Sequence, residues 1–118
     1  MVEINGTRIR MTRGDTLRVV LSLTVVEEVS EGEKIEYPYV PEEGDRIRFA
    51  MKKTYDDSEP ILVKDISPDT LLLTLNPEDT KDLDMRGRYV YDIELTHANG
   101  DVDTFINKAK LVLTEEVH

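Results

Sequence analysis

The chain has no cysteine, no tryptophan and only two histidines among its 118 residues. Without cysteine there is no disulfide framework, no thiolate metal centre and no thiol nucleophile. The two histidines, His97 and His118, stand before a turn and at the last position, and do not make a His-rich metal site. No serine sits in a nucleophile elbow, and no Gly-rich phosphate loop occurs. No apolar run approaches the roughly 18 residues of a membrane helix. The opening MVEINGTRIRMTRGD has no apolar signal-peptide core, so the chain is expected to stay where it is made unless something carries it. Basic residues are outnumbered, 15 against 25 acidic, for a net charge of −10. That balance disfavours broad contact with nucleic-acid phosphates or an anionic membrane. It is compatible with a basic protein partner, divalent cations or plain solubility.

What is present is alternation. Leu17, Val19, Leu21, Leu23 and Val25 alternate with more polar neighbours, as do Ile47, Phe49 and Met51, then Leu71, Leu73 and Leu75, then Tyr89, Tyr91, Ile93 and Leu95. A last run places Ala109, Leu111 and Leu113 on one side. A period of two marks half-buried antiparallel strands. Turn signals separate the runs: Asn5-Gly6, Gly14-Asp15, Gly44-Asp45, Ser67-Pro68-Asp69 and, strongest as a hairpin signal, Asn99-Gly100. One domain spanning residues 1–118 is expected, all-β, as an immunoglobulin-like antiparallel β-sandwich. Its core should contain Val19, Leu21, Leu23, Ile47, Phe49, Leu73, Tyr89, Tyr91, Ile93 and Leu111.

One short helical crossover is expected at Pro77–Leu83, with Asn76 as N-cap, Pro77 at the first position and acids in the first turn. After it, Gly87-Arg88-Tyr89-Val90-Tyr91 has the spacing of a tyrosine corner, with Tyr91 where antibody domains carry their second cysteine. The Tyr89 hydroxyl is then expected to bond backbone between Asp82 and Met85.

Candidate chemistry is sparse. Paired carboxylates come in strings such as Glu27-Glu28 and Glu42-Glu43, as in solvated loops, so catalysis is not expected. The loop Asp56-Asp57-Ser58-Glu59 offers oxygen ligands of the kind Ca²⁺ takes, but it lacks the Gly and terminal Glu of an EF-hand, and no metal or cofactor is assigned. Arg13-Gly14-Asp15 spells an integrin-binding tripeptide that turn chemistry explains equally well.

Two features fit protein contact. Ile35, Tyr37 and Tyr39 alternate inside an acidic link between core strands. They read as a projecting hairpin with interface tyrosines or, equally, as side chains covering the sandwich edge. Val90 and Val112 are apolar where alternation calls for polar residues. If their strands are neighbours, they form a patch expected to be flanked by Arg46, Arg48, Asp92 and Glu94.

The strings Gly44-Asp45-Arg46-Ile47-Arg48-Phe49, Met51-Lys52-Lys53-Thr54-Tyr55-Asp56-Asp57, Pro77-Glu78-Asp79-Thr80, Gly87 to Ile93 and Asn99-Gly100-Asp101-Val102 resemble small β-sandwich proteins encoded by phages and prophages of Gram-positive bacteria. They are similar in pattern to the N-terminal domain of the baseplate upper protein, and the similarity runs from about Arg13 to Glu116. The pattern differs from that protein in showing no helical stalk or receptor-binding region within these 118 residues. The resemblance implies a non-catalytic virion or tail accessory module, at baseplate or neck. Its partners would be other phage structural proteins or further copies of the chain in a homo-oligomer, and its location the virion or the host cytoplasm during assembly. The rival reading is a bacterial carbohydrate- or cell-surface-binding module of the same architecture, which would need an exposed aromatic platform.

Overall fold

The computed structural model describes residues 2–83 and 87–115. The chain is all-β apart from one helical turn among these residues. The strands are β1 (Val2–Asn5), β2 (Arg8–Thr12), β3 (Leu17–Val20), β4 (Thr24–Ser30), β5 (Glu33–Pro38), β6 (Arg46–Lys52), β7 (Leu62–Ile66), β8 (Leu72–Leu75), β9 (Arg88–Thr96) and β10 (Val102–Thr114), with α1 (Pro77–Thr80) between β8 and β9. Six strands form one sheet in the order β1-β2-β10-β9-β6-β7, antiparallel except where β2 runs parallel to β10. β3 pairs with β8, and β4 with β5, in two separate two-stranded sheets.

Alternation decides the faces. β2 turns in Ile9 and Met11, β6 Ile47, Phe49 and Met51, β9 Tyr89, Tyr91, Ile93 and Leu95, and β10 Ala109, Leu111 and Leu113. The β3–β8 pair adds Leu17, Leu73 and Leu75 to the same core. Phe49 and Tyr91 stack at its centre with ring centroids 5.3 Å apart. Eight of the ten expected core residues are buried, and Val19 and Leu21 are half-buried. These two line an open cleft at the edge of β3, shared with Ile4, Ile9, Leu73 and Ile106, which keeps them in partial contact with solvent.

The alternating run from Leu17 to Val25 is not one strand. β3 ends at Val20, the Leu21 N–H bonds to the Leu71 carbonyl at 2.7 Å, and the chain restarts as β4 at Thr24. Its first half has a core to face. Leu21 and Leu23 still reach the core, but from Thr24 onward the run has only β5, because β4 and β5 pair with each other and add no fully buried residue.

The crossover is shorter than expected. In α1, Pro77 takes the first turn, and the Asp79 carboxylate accepts from the Asn76 N–H at 2.7 Å and meets Lys64 Nζ at 2.8 Å. Buried Thr80 accepts from the Gly14 N–H at 2.8 Å, and Arg13 donates to the Leu83 carbonyl at 3.0 Å. Arg13-Gly14 is therefore engaged with the crossover. Tyr89 is buried with its ring lying over Gly87. Of the segment expected to receive its hydroxyl, Asp84 and Met85 lie outside the described residues. The Tyr91 hydroxyl donates to the Thr7 carbonyl in the β1–β2 turn, and burial pushes its pKa up to about 12.

Candidate functional site

Two surfaces and one latch stand out. The first surface is the β4–β5 hairpin. Val25 faces Tyr37 and Glu27 faces Ile35 across the pair, so apolar and acidic side chains share one side. Along both strands only Val25 is half-buried and the rest are exposed, including Val26, Val29, Ile35 and Tyr37. The Tyr37 hydroxyl donates to Glu27 Oε2 at 3.3 Å. Partial desolvation, then the Glu27 charge, raises its pKa. An isolated two-stranded hairpin is marginal in water, so this one depends on how its foot is held.

The latch holds that foot. Tyr39, just past β5, is half-buried rather than presented outward. Its ring packs at 5.6 Å from Phe105 and 6.0 Å from His97. Its hydroxyl donates to Asp45 Oδ2 at 2.6 Å, and the same oxygen accepts from the Glu42 N–H at 2.8 Å. His97 spans two carboxylates, with Nδ1 3.4 Å from Asp45 and Nε2 2.7 Å from Asp103. Burial and the Asp45 hydrogen bond push the Tyr39 pKa up to about 12. The bonds from Tyr39 and from the Glu42 backbone hold the Asp45 carboxyl below its ordinary value, although its burial opposes this. The hydrogen bond to Asp103 raises His97. An Asp–His–Asp relay next to a hydroxyl has the look of catalytic machinery. Here the hydroxyl is a phenol whose proton points at a carboxylate, which makes it a donor and not a nucleophile near neutral pH. The arrangement ties the foot of the hairpin to the end of β9.

The second surface is the outer face of the large sheet. Val90 and Val112 do lie on adjacent strands, half-buried and diagonal to each other, since Val90 faces Lys110 and Val112 faces Arg88. Their other cross-strand neighbours are Lys52 and Arg10. The expected flank is thus corrected for Arg46, Arg48 and Glu94, while Asp92 stands two residues from Val90 in the same outward phase of β9. Arg48 pairs with Glu94 and Arg46 with Thr96 further along the strands, because the β6–β9 register carries the mixed-charge positions away from Val90. A groove of about 370 Å³ opens over the two valines, bounded by Tyr55 and by Arg8, Lys53, Arg88 and Lys110. Among the described residues, none of these four cations forms an ion pair. A bulge in β10 puts Lys108 in a left-handed conformation (φ 55°), with its N–H bonded to Asp92 and its ammonium 4.7 Å from the centre of the Tyr55 ring.

Sequence reasoning picked out the valines and missed the cations. They come from four separate segments, and the net negative charge hides them. Among the described residues no cluster of three His, Asp or Glu side chains is arranged to hold a metal. In the acidic loop, Asp57 is occupied in its own turn, accepting from the Thr54 N–H at 3.1 Å. No family model, curated protein or solved structure matches the chain.

Proposed function

We propose that this protein is a non-catalytic docking module, an immunoglobulin-like sandwich that serves as a virion or tail accessory part of a phage or prophage. The pairing of β3 with β8 opposite a sheet containing β6, β9 and β10 supports the sandwich reading. On this reading β6, β9 and β10 of the six-stranded sheet take the places of strands C, F and G, and β3 and β8 those of B and E. On the same reading the crossover from β8 through α1 to β9, with Tyr89 and Tyr91 after it, takes the place of the E–F corner.

The observation that carries the docking reading is the β4–β5 hairpin. It adds no fully buried residue to the core, exposes Val26, Val29, Ile35 and Tyr37, and is nevertheless fastened at its foot by Tyr39, Asp45 and His97. A fold has no reason of its own to hold such an element outward, and aromatic side chains favour interface cores. The phage assignment rests on the sequence resemblance alone. Light scattering of the protein mixed with the products of adjacent structural genes tests the role. Binding to a neighbour that is lost in an Ile35→Glu/Tyr37→Glu variant with an unchanged melting temperature is the expected result. A plain monomer with every neighbour, for wild type and variant alike, overturns it.

A further inference from the structure

The two surfaces have opposite charge and sit at opposite ends of the molecule. The segment from Thr24 to Pro38 carries Glu27, Glu28, Glu31, Glu33 and Glu36 against a single lysine, Lys34. Its foot packs where β9 ends and β10 begins, around Phe105 and Asp103. The cationic groove lies over the other end of the same two strands, at Arg88, Val90, Lys110 and Val112. The molecule is 55 Å long and about 30 Å across, and β4 alone reaches roughly 23 Å at the usual rise per strand residue. A chain therefore cannot bring its own hairpin to its own groove.

Resting on the docking reading above, we infer that the groove over Val90 and Val112 receives the acidic β4–β5 hairpin of a second copy of this chain, head to tail. The chemistry matches at both levels. The groove has an apolar floor of Val90, Val112 and the Tyr55 ring, and a rim of guanidinium and ammonium groups that form no ion pair among the described residues. The hairpin brings exposed Val29 and Ile35 beside the carboxylates of Glu31 and Glu33. Complementary charge sets the register, and desolvated apolar contact supplies the adhesion. Because the two patches differ, the contact is heterologous, and its repetition gives a ring or an open filament instead of a closed two-fold dimer.

Charge swapping tests this with the whole chain. In one variant Arg88→Glu and Lys110→Glu reverse the groove. In the other Glu31→Lys and Glu33→Lys reverse the hairpin. All four side chains are exposed, so both variants should fold, and melting curves check this. Sedimentation velocity over a concentration series, at about 50 mM and about 500 mM salt, reads association. Wild type should self-associate at low salt and dissociate at high salt, and each variant alone should associate at least about tenfold more weakly. Mixing the two variants should restore association between unlike copies, seen by energy transfer between differently labelled chains. The hairpin variant is the sharpest arm. Two Glu→Lys changes take the net charge from −10 to −6, so overall repulsion falls and a contact governed by net charge would tighten, whereas the inferred contact weakens. A wild type that stays monomeric, or a mixture that fails to associate, overturns the inference. If a neighbouring structural protein still binds in that case, the docking reading survives without it.

Discussion

At the scale of single residues, the fold leans on a few contacts that substitutions can isolate. Phe49 is fully buried against Tyr91. Phe49→Ala is expected to cost about 3–5 kcal/mol by denaturant unfolding, from lost transfer energy and the cavity left behind. At Gly87 a Cβ would lie 2.6 Å from the Tyr89 hydroxyl oxygen and closer still to its ring, so any side chain must displace the tyrosine. Gly87→Ala should therefore destabilise by about 1–3 kcal/mol, an unusually large effect for an alanine substitution outside a helix or strand. His97 gives a pH test. Its pKa is raised chiefly by Asp103, so it gains protons on folding. Its contribution to stability is complete below its ordinary value near 6.5 and fades as pH rises through the raised folded value. Asp45 has the opposite sign: its folded pKa is lowered, so its contribution is present above the ordinary carboxylate range and fades as acid protonates it. In an NMR titration Asp103→Asn should move the His97 midpoint downward. An unmoved midpoint would place the cause elsewhere.

At the scale of elements, the contrast lies between strands with a core to face and strands without one. β6 and β9 alternate buried and open positions along their length, and alternation in the sequence made them legible. β4 and β5 show no such pattern because both of their sides are wet. A pair of this kind opens locally at low cost once its anchor is gone. Tyr39→Ala removes the hydroxyl that bonds Asp45 and the ring that packs on Phe105. Hydrogen exchange should then accelerate across β4 and β5 while β6, β9 and β10 stay protected. Uniform acceleration would mean that the tyrosine supports the core itself and not the hairpin alone.

At the scale of the whole molecule, charge is distributed unevenly. The net −10 conceals a cationic groove at one end and an acidic hairpin at the other. Such a distribution gives the molecule a dipole along its length, which orients encounters more than it strengthens them. Divalent cations are not expected to matter to the fold. Excess calcium or chelator should leave the melting temperature unchanged, because a cation bound only by the native state must raise it. A clear rise with calcium would point to Asp56, Asp57 and Glu59.

The sequence by itself determined the all-β class, the alternating runs that become β3, β6, β8, β9 and the end of β10, the turns at Gly6, Gly44 and Gly100, the crossover at Pro77 and most of the core, because these follow from local periodicity and backbone preference. It also marked Val90 and Val112, since an apolar residue in a polar phase is a local anomaly. Only the tertiary structure decided that the run after Leu17 breaks at Val20, because whether an alternating segment is a core strand depends on what lies opposite it. Only the tertiary structure made Tyr39 an anchor while leaving Tyr37 exposed, although the two stand in the same alternating phase. It alone gathered Arg8, Lys53, Arg88 and Lys110 around one groove. Charge proximity depends on strand order and register, and both are set by pairings between segments far apart in the chain.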